Sequence, residues 1–419
     1  MAGSSAEPAL ERSVGLPGAV GFGLGAMVGT GVFVTTSIGA GLAGPAVLVS
    51  LVVAGFAGAC NGLSSAELAM AYPRSGGTYE YAGRKLSPWA GFLAGWLFLG
   101  AKTTSAAATA LAFGAALGRS SGLPPLALSL ALVAVVTLLN FFKLTRAGAV
   151  NLALVALSLL SLTAFVAAGL PRISAGRFTP FAPAGIRGIL SAAALLFVAY
   201  AGYGRVATLG EEIRDPKRNI PIAVVLSLSA AAVLYLLVTA TAVGSLGASA
   251  FAAAEKTGAP LEEAAGARGV KVALAIGAAT ALGSVFLNLM LGLSRMAFAM
   301  ARGNDLPAPL CRVNRSASPY VAVLFIGALV GGLVAVRSVV TLLAISAFAI
   351  LVYYGLTNLS ALRLSREERL VHPVVPAAGL ACCLALVAGV PPGQMAVGAG
   401  ILAAGVLWRL VWKSFAKTS

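Results

Sequence analysis

The chain has 419 residues, 59% of them hydrophobic and only 10% charged, and its mean hydropathy is +0.94. A soluble domain carries about 25% charged residues, so this composition excludes a water-soluble globule and requires many membrane spans. The net charge of +16 raises nucleic acid as a partner, but the basic residues lie in short stretches between apolar segments, where they report topology; no nucleic-acid partner is expected.

The apolar segments lack the strict alternation of barrel strands and are mostly long enough for helices, which need about 20 residues to span. An all-α membrane protein is expected. After a polar tail over 1–13, with no evident cleavable signal peptide, twelve spans are expected. They are 14–43, 45–71, 87–117, 124–142, 147–170, 187–210, 220–246, 270–300, 319–336, 338–362, 373–390 and 393–413, with a short tail over 414–419. The longest loop, 247–269, is Ala-rich and has the composition of short surface helices.

Between alternate spans the loops differ in charge. One side carries Arg12, Arg74, Arg84, Lys85, Lys143, Arg146, Arg214, Lys217, Arg218, Arg302, Arg312, Arg315, Arg363, Arg366, Arg369, Lys413 and Lys417; the other carries Arg119, Arg172, Arg177, Arg187, Lys256, Arg268, Lys271 and Arg337. The richer side is expected to be cytoplasmic. Both termini then lie on the cytoplasmic side of the plasma membrane. Oligomeric state is not legible.

Two spans carry glycine in their middles. The first holds "GAMVGTGVF", Gly25 to Phe33, and the sixth holds "YAGYG", Tyr200 to Gly204. Glycine costs about 1 kcal/mol against alanine inside a helix. Gly21, Gly25 and Gly29 also fit a small-residue packing face. Broken helices in corresponding positions, however, point to an inverted-repeat transporter. Unwinding frees backbone N–H and C=O groups at membrane depth, where only a cavity or ligand makes them tolerable. A half-helix N-terminus suits a carboxylate, and freed carbonyls suit an ammonium. The two charges of an amino acid match two such breaks.

Other chemistry is sparse. The only histidine is His372, and Cys60, Cys311, Cys382 and Cys383 have no metal-ligand spacing. No metal site, cofactor or catalytic constellation is expected, so the chain does not read as an enzyme. A channel would need a continuous polar pore, and an amino-acid-sensing receptor would need a signalling domain that these loops are too short to supply. Lys102, in "FLGAKTTSA", stands at the middle of the third span, where a charge costs at least about 2.5–3.5 kcal/mol.

Four motifs in order resemble the amino acid–polyamine–organocation (APC) transporters. They are "GAMVGTGVF"; "AELAMAYPRSGGTYEYAGRKLSPWAGFLAGW" from Ala66 to Trp96; "YAGYGRVATLGEEIRDPKRNIPIAV" from Tyr200 to Val224; and "LSRMAFAMARGNDLP" from Leu293 to Pro307. The resemblance implies the leucine-transporter fold: a first five-helix repeat over 14–170, an inverted second over 187–362, and two further helices over 373–413. It implies alternating-access transport of an amino acid. The backbone at Gly29, Thr30 and Gly31 would hold the carboxylate, and carbonyls of Met27, Val198 and Ala201 the amino group.

The resemblance places Lys102 toward the substrate side chain. It can pair with an acidic substrate, titrate between conformations, or donate to carbonyls freed by the breaks. Tyr200 and Tyr203 flank the sixth-span break, as an aromatic lid or as lipid-facing or packing residues. Arg205 reads as a gate or as a structural ion-pair residue, with Glu67, Glu211 and Glu212 as partners. Some family members carry a fifth-span lysine in place of a sodium ion; here that position is Ser158. A coupling proton at Lys102, a sodium ion near Ser158 and Ser284, and exchange without a coupling ion all stay open. Few acidic side chains and a positive Lys102 favour a neutral or acidic amino acid over a cationic amino acid or polyamine.

Overall fold

The computed structural model describes residues 14–72, 76–141, 147–208, 213–314 and 318–415. The two tails over 1–13 and 416–419, with Arg12 and Lys417, lie outside the described residues, as do Arg74, Lys143, Arg146, Glu211, Glu212 and Arg315. Among the described residues every named element is helical. The helices are α1 (Leu16–Met27), α2 (Thr36–Ala43), α3 (Val47–Ala71), α4 (Thr78–Lys85), α5 (Pro88–Ser121), α6 (Pro125–Leu139), α7 (Ala147–Gly169), α8 (Gly185–Tyr200) and α9 (Gly204–Thr208). They continue as α10 (Pro216–Leu246), α11 (Ala248–Ala253), α12 (Pro260–Ala264), α13 (Arg268–Arg302), α14 (Tyr320–Val334), α15 (Val339–Leu362), α16 (Val374–Val387) and α17 (Pro392–Phe415).

Seven helical stretches among the described residues are long and apolar enough to cross a membrane, and α6, α14 and α16 are shorter apolar helices. Each apolar segment expected from the sequence contains helix. Local chemistry sets the ends. At the start of α5, Ser87 Oγ accepts from the Ala90 N–H at 3.1 Å and Pro88 fills the first helical position. There Pro lacks only an N–H that would have no intrahelical partner. Gly44, at φ 65°, separates α2 from α3, and a Cβ there would lie 2.6 Å from Pro183 Cδ.

The 34-residue α5 is long, yet it is not among the seven apolar stretches, because Thr, Ser, Gly and Lys102 interrupt its hydropathy. It packs against α13 and α15. Burial explains the composition: Ala101, Ala106, Ala107, Ala108 and Ala110 are fully buried, and small side chains let helices approach where lipid offers no hydrophobic drive. By contrast α17 lies at the periphery, with Leu407 62% exposed.

Contacts between loops sort the helix ends into two faces. On one, Lys85 Nζ pairs with Glu368 at 2.8 Å, Asn314 Nδ2 donates to the Phe141 carbonyl at 2.9 Å, and Val14 bridges Ile213. On the other, Arg119 pairs with Glu263 at 2.6 Å and Arg172 donates to the Ala264 carbonyl at 2.9 Å. Two details differ from the sequence reading. The segment 247–269 does form short helices, but Phe251 and Leu261 are buried and α11 packs on α2. The stretch read as loop between the second and third spans holds α4, anchored on α5 and α15.

Glu368 ties this first face together. Its carboxylate accepts from Lys85, from the Tyr72 hydroxyl and from the Ser365 N–H, which hold it well below the usual carboxylate range, at about 2. A depressed folded-state value means that the stabilisation is complete above about 4.5, the ordinary carboxylate value, and is lost as pH falls toward 2. The thermal-midpoint difference between wild type and Glu368→Gln should be constant above pH 5 and shrink between pH 4.5 and pH 3. A difference that stays constant to pH 3 would contradict this.

Candidate substrate site

The first interruption is short. Val28 leaves α1 with φ −73° and ψ 98°, and helical angles resume at Thr30 with φ −51° and ψ −34°. A wide π turn over Gly31–Thr35 leads into α2. The second interruption is tighter: α8 ends at Tyr200, Ala201–Tyr203 form a 3-10 turn, and α9 follows. The two interruptions touch. A Cβ at Gly202 would lie 2.5 Å from the Ala26 carbonyl oxygen, so only glycine allows this backbone approach.

Between them is a cavity of ≈ 30 Å³, room for about one water molecule rather than an amino acid. Its wall includes Met27, Thr30, Gly31, Lys102, Val198 and Val285. Lys102 is the one charged side chain among the described residues lining it. Its Nζ donates to the Ala201 carbonyl at 3.4 Å, and Tyr354 Oη donates to the same carbonyl at 3.5 Å. The Met27 carbonyl, released where α1 ends, accepts from Tyr235 Oη at 2.7 Å. Thr30 Oγ1 lies 2.8 Å from Thr109 Oγ1, and Thr109 donates to the Ser105 carbonyl at 2.8 Å.

Four of the residues singled out in sequence thus meet on one wall with Lys102: Met27, Thr30, Gly31 and Val198. Gly29 sits behind it; a Cβ there would lie 2.5 Å from Val285 Cγ2 on α13. Gly29 therefore serves close packing as well as the break. Tyr200 and Tyr203 are both fully buried and neither lines the cavity. Their rings lie 5.1 Å from Tyr235 and 5.4 Å from Tyr354 respectively, which excludes a lipid-facing role and matches packing. Arg205 starts the second turn as a half-buried residue of α9. Glu67 Oε2 accepts from the N–H groups of Leu370 and Val371 at 3.1 and 2.8 Å, so it clamps a loop.

Ser158 lies away from the cavity, on α7. Its Oγ is 2.8 Å from the Leu154 carbonyl, 3.2 Å from the Gly277 carbonyl and 3.2 Å from Thr280 Oγ1. Ser284, buried, is one turn beyond Thr280 on α13. Tyr235, Tyr354 and Thr109 were not singled out in sequence. The available signal was a hydroxyl within an apolar helix, and many such residues here only bond their own helix.

Gly202→Ala should overpack the crossing and cost about 1–3 kcal/mol. Gly283→Ala, on α13 with nothing within 4 Å of the added methyl, should be neutral or about 0.4–1 kcal/mol stabilising. Thermal unfolding of the two variants side by side checks this.

The amino acid permease family model matches residues 18–386. An uncharacterized transporter of Mycobacterium tuberculosis is 40% identical over 403 residues, covering 95% of this chain and 90% of the relative. The branched-chain amino acid permease BcaP of Bacillus subtilis is 29% identical over 420 residues, covering 92% and 90%. Cationic amino acid transporter 7 of Arabidopsis thaliana is 27% identical over 338 residues, covering 74% and 58%. These relatives are transporters rather than enzymes. The chain belongs to the amino acid permease family of the APC superfamily.

Proposed function

We infer that this protein is a secondary active amino acid transporter of the plasma membrane that works by alternating access. In this reading twelve spans form two inverted five-helix repeats, over 14–170 and 187–362, with two added helices over 373–413. Both termini are cytoplasmic, because the face with more Lys and Arg is retained inside. One observation carries the reading: two interrupted helices meet at a cavity whose charged wall residue is Lys102.

The substrate carboxylate would take the N-terminal end of the helical run that starts at Thr30, where N–H groups and the helix dipole favour an anion. The α-ammonium would take the carbonyls of Met27, Val198 and Ala201. In the geometry described, Tyr235 and Lys102 hold the Met27 and Ala201 carbonyls. They act as stand-ins for the ammonium, so substrate must part the walls of a cavity of ≈ 30 Å³ and displace both. An α-ammonium at the Ala201 carbonyl would meet the like charge of Lys102 at close range. Lys102 must then turn to a substrate carboxylate or give up its proton.

This favours a neutral or acidic amino acid. The cationic relative supports the opposite choice, and Lys102 opposes it. Thermal stabilisation across the amino acids identifies the substrate, since binding adds RT ln(1 + [L]/Kd) to stability. Arginine outcompeting alanine, serine and glutamate for uptake into proteoliposomes would overturn the charge argument. Lys102→Met should weaken an acidic ligand by at least about tenfold relative to leucine, the loss of a charge-assisted bond.

Coupling has two candidate seats. Proton coupling would act through Lys102; sodium would sit in the oxygen cluster of Ser158, Gly277 and Thr280, with Ser284 beyond. Uptake driven by a sodium gradient alone and lost in Ser158→Ala assigns sodium; uptake driven by a proton gradient alone and lost in Lys102→Met assigns the proton.

A further inference from the structure

A second cavity lies away from the substrate site. It measures ≈ 480 Å³, within the range of about 300–1,000 Å³ usual for small-molecule sites. Its wall is built by α4, the start of α5, the Gly303–Asp305 turn after α13, and α17. This is the face that carries the Lys85–Glu368 pair.

At its base is Arg409, only 3% exposed. The guanidinium lies 4.8 Å from the ring centres of both Trp89 and Phe92. It donates to the Pro88 carbonyl at 2.6 Å and stands 3.7 Å from Asp305. Its Nε–H has no acceptor among the described residues. Asp305 is shared, since it also accepts from Tyr79 Oη at 3.0 Å. On the rim, Arg84 is paired with Glu80 at 2.6 Å. Lys413 is exposed and takes part in none of the ion pairs among the described residues. Three cations therefore face two carboxylates, and the buried guanidinium is incompletely satisfied.

The surroundings say where a ligand comes from. All four tryptophans of the chain stand on α5 and α17 beside this cavity. Trp96, Trp408 and Trp412 stack in series with ring centres 6.2 and 5.5 Å apart. Tryptophan prefers the membrane–water interface. One step away, Leu407, Leu410 and Val411 are 62%, 54% and 54% exposed on the same helix, an apolar track suited to an acyl chain. Basic pockets between helices at this depth recognise anionic headgroups.

We propose that this cavity binds the phosphate of an anionic phospholipid, with Lys413 and Arg409 as its cationic contacts and the acyl chains lying along α17. The site is separate from the transport cavity and uses none of its residues.

The test is lipid binding by purified full-length protein in a neutral detergent. Native mass spectrometry would count phosphatidylglycerol and phosphatidylcholine retained, and thermal unfolding would be measured with each lipid and with glycerol 3-phosphate. Wild type should retain phosphatidylglycerol preferentially and melt several degrees higher with it. Lys413→Glu should weaken that binding about tenfold, Lys413→Arg should restore it, and Lys256→Glu, the same charge change on the opposite face, should not alter it. Equal retention of the two lipids would overturn the proposal. So would equal losses in Lys413→Glu and Lys256→Glu. A stabilisation by glycerol 3-phosphate as large as that by the lipid would also overturn it, by making the ligand a soluble phosphate.

Discussion

The structure depends on satisfying backbone polar groups buried between its helices. Opening a helix at membrane depth exposes carbonyls whose desolvation cost is several kcal/mol each in hydrocarbon. Here the Met27 carbonyl takes the Tyr235 hydroxyl, and the Ala201 carbonyl takes Lys102 and Tyr354. The donors come from α10, α5 and α15, three helices that surround the two breaks. The breaks persist because neighbouring helices supply what the lost helical bonds would have supplied.

The same crossing governs the packing. Gly202 lies against the Ala26 backbone, and Gly31 against Ala199 and the Tyr235 hydroxyl. Glycine weakens each helix locally, yet its missing side chain lets the two interruptions approach within van der Waals distance. Packing notch and helix break, alternatives at the level of sequence, are here properties of one arrangement. The small residues of α5 and the fully buried Tyr200, Tyr203 and Tyr235 then fill space around it. Their rings adopt tilted contacts such as the 5.1 Å approach of Tyr200 and Tyr235.

The periphery is held by different means. Helix ends that meet water use charge: Lys85 with Glu368 on one face, Arg119 with Glu263 on the other. The more exposed Arg119–Glu263 pair contributes little individually. Both pairs join segments from distant parts of the chain. α17 contributes less packing and more exposed apolar surface, and its aromatic edge gives its rim a character unlike the cavity between the breaks.

The sequence by itself determined the membrane class, the positions of the long apolar helices and the place of both interruptions. Long apolar runs must bury their backbone bonds as helices in lipid, and glycine in mid-span marks where they fail to. It also singled out Lys102, because a mid-membrane charge stands out against any apolar background. Only the tertiary structure decided what these residues touch. Tyr200 and Tyr203, next to the break in sequence, point into packing, whereas Tyr235 and Tyr354, far away in sequence, reach the freed carbonyls. A hydroxyl in an apolar helix reads the same whether it bonds its own turn or a neighbouring helix; which of these occurs depends on helix rotation and crossing, set by packing against several partners at once.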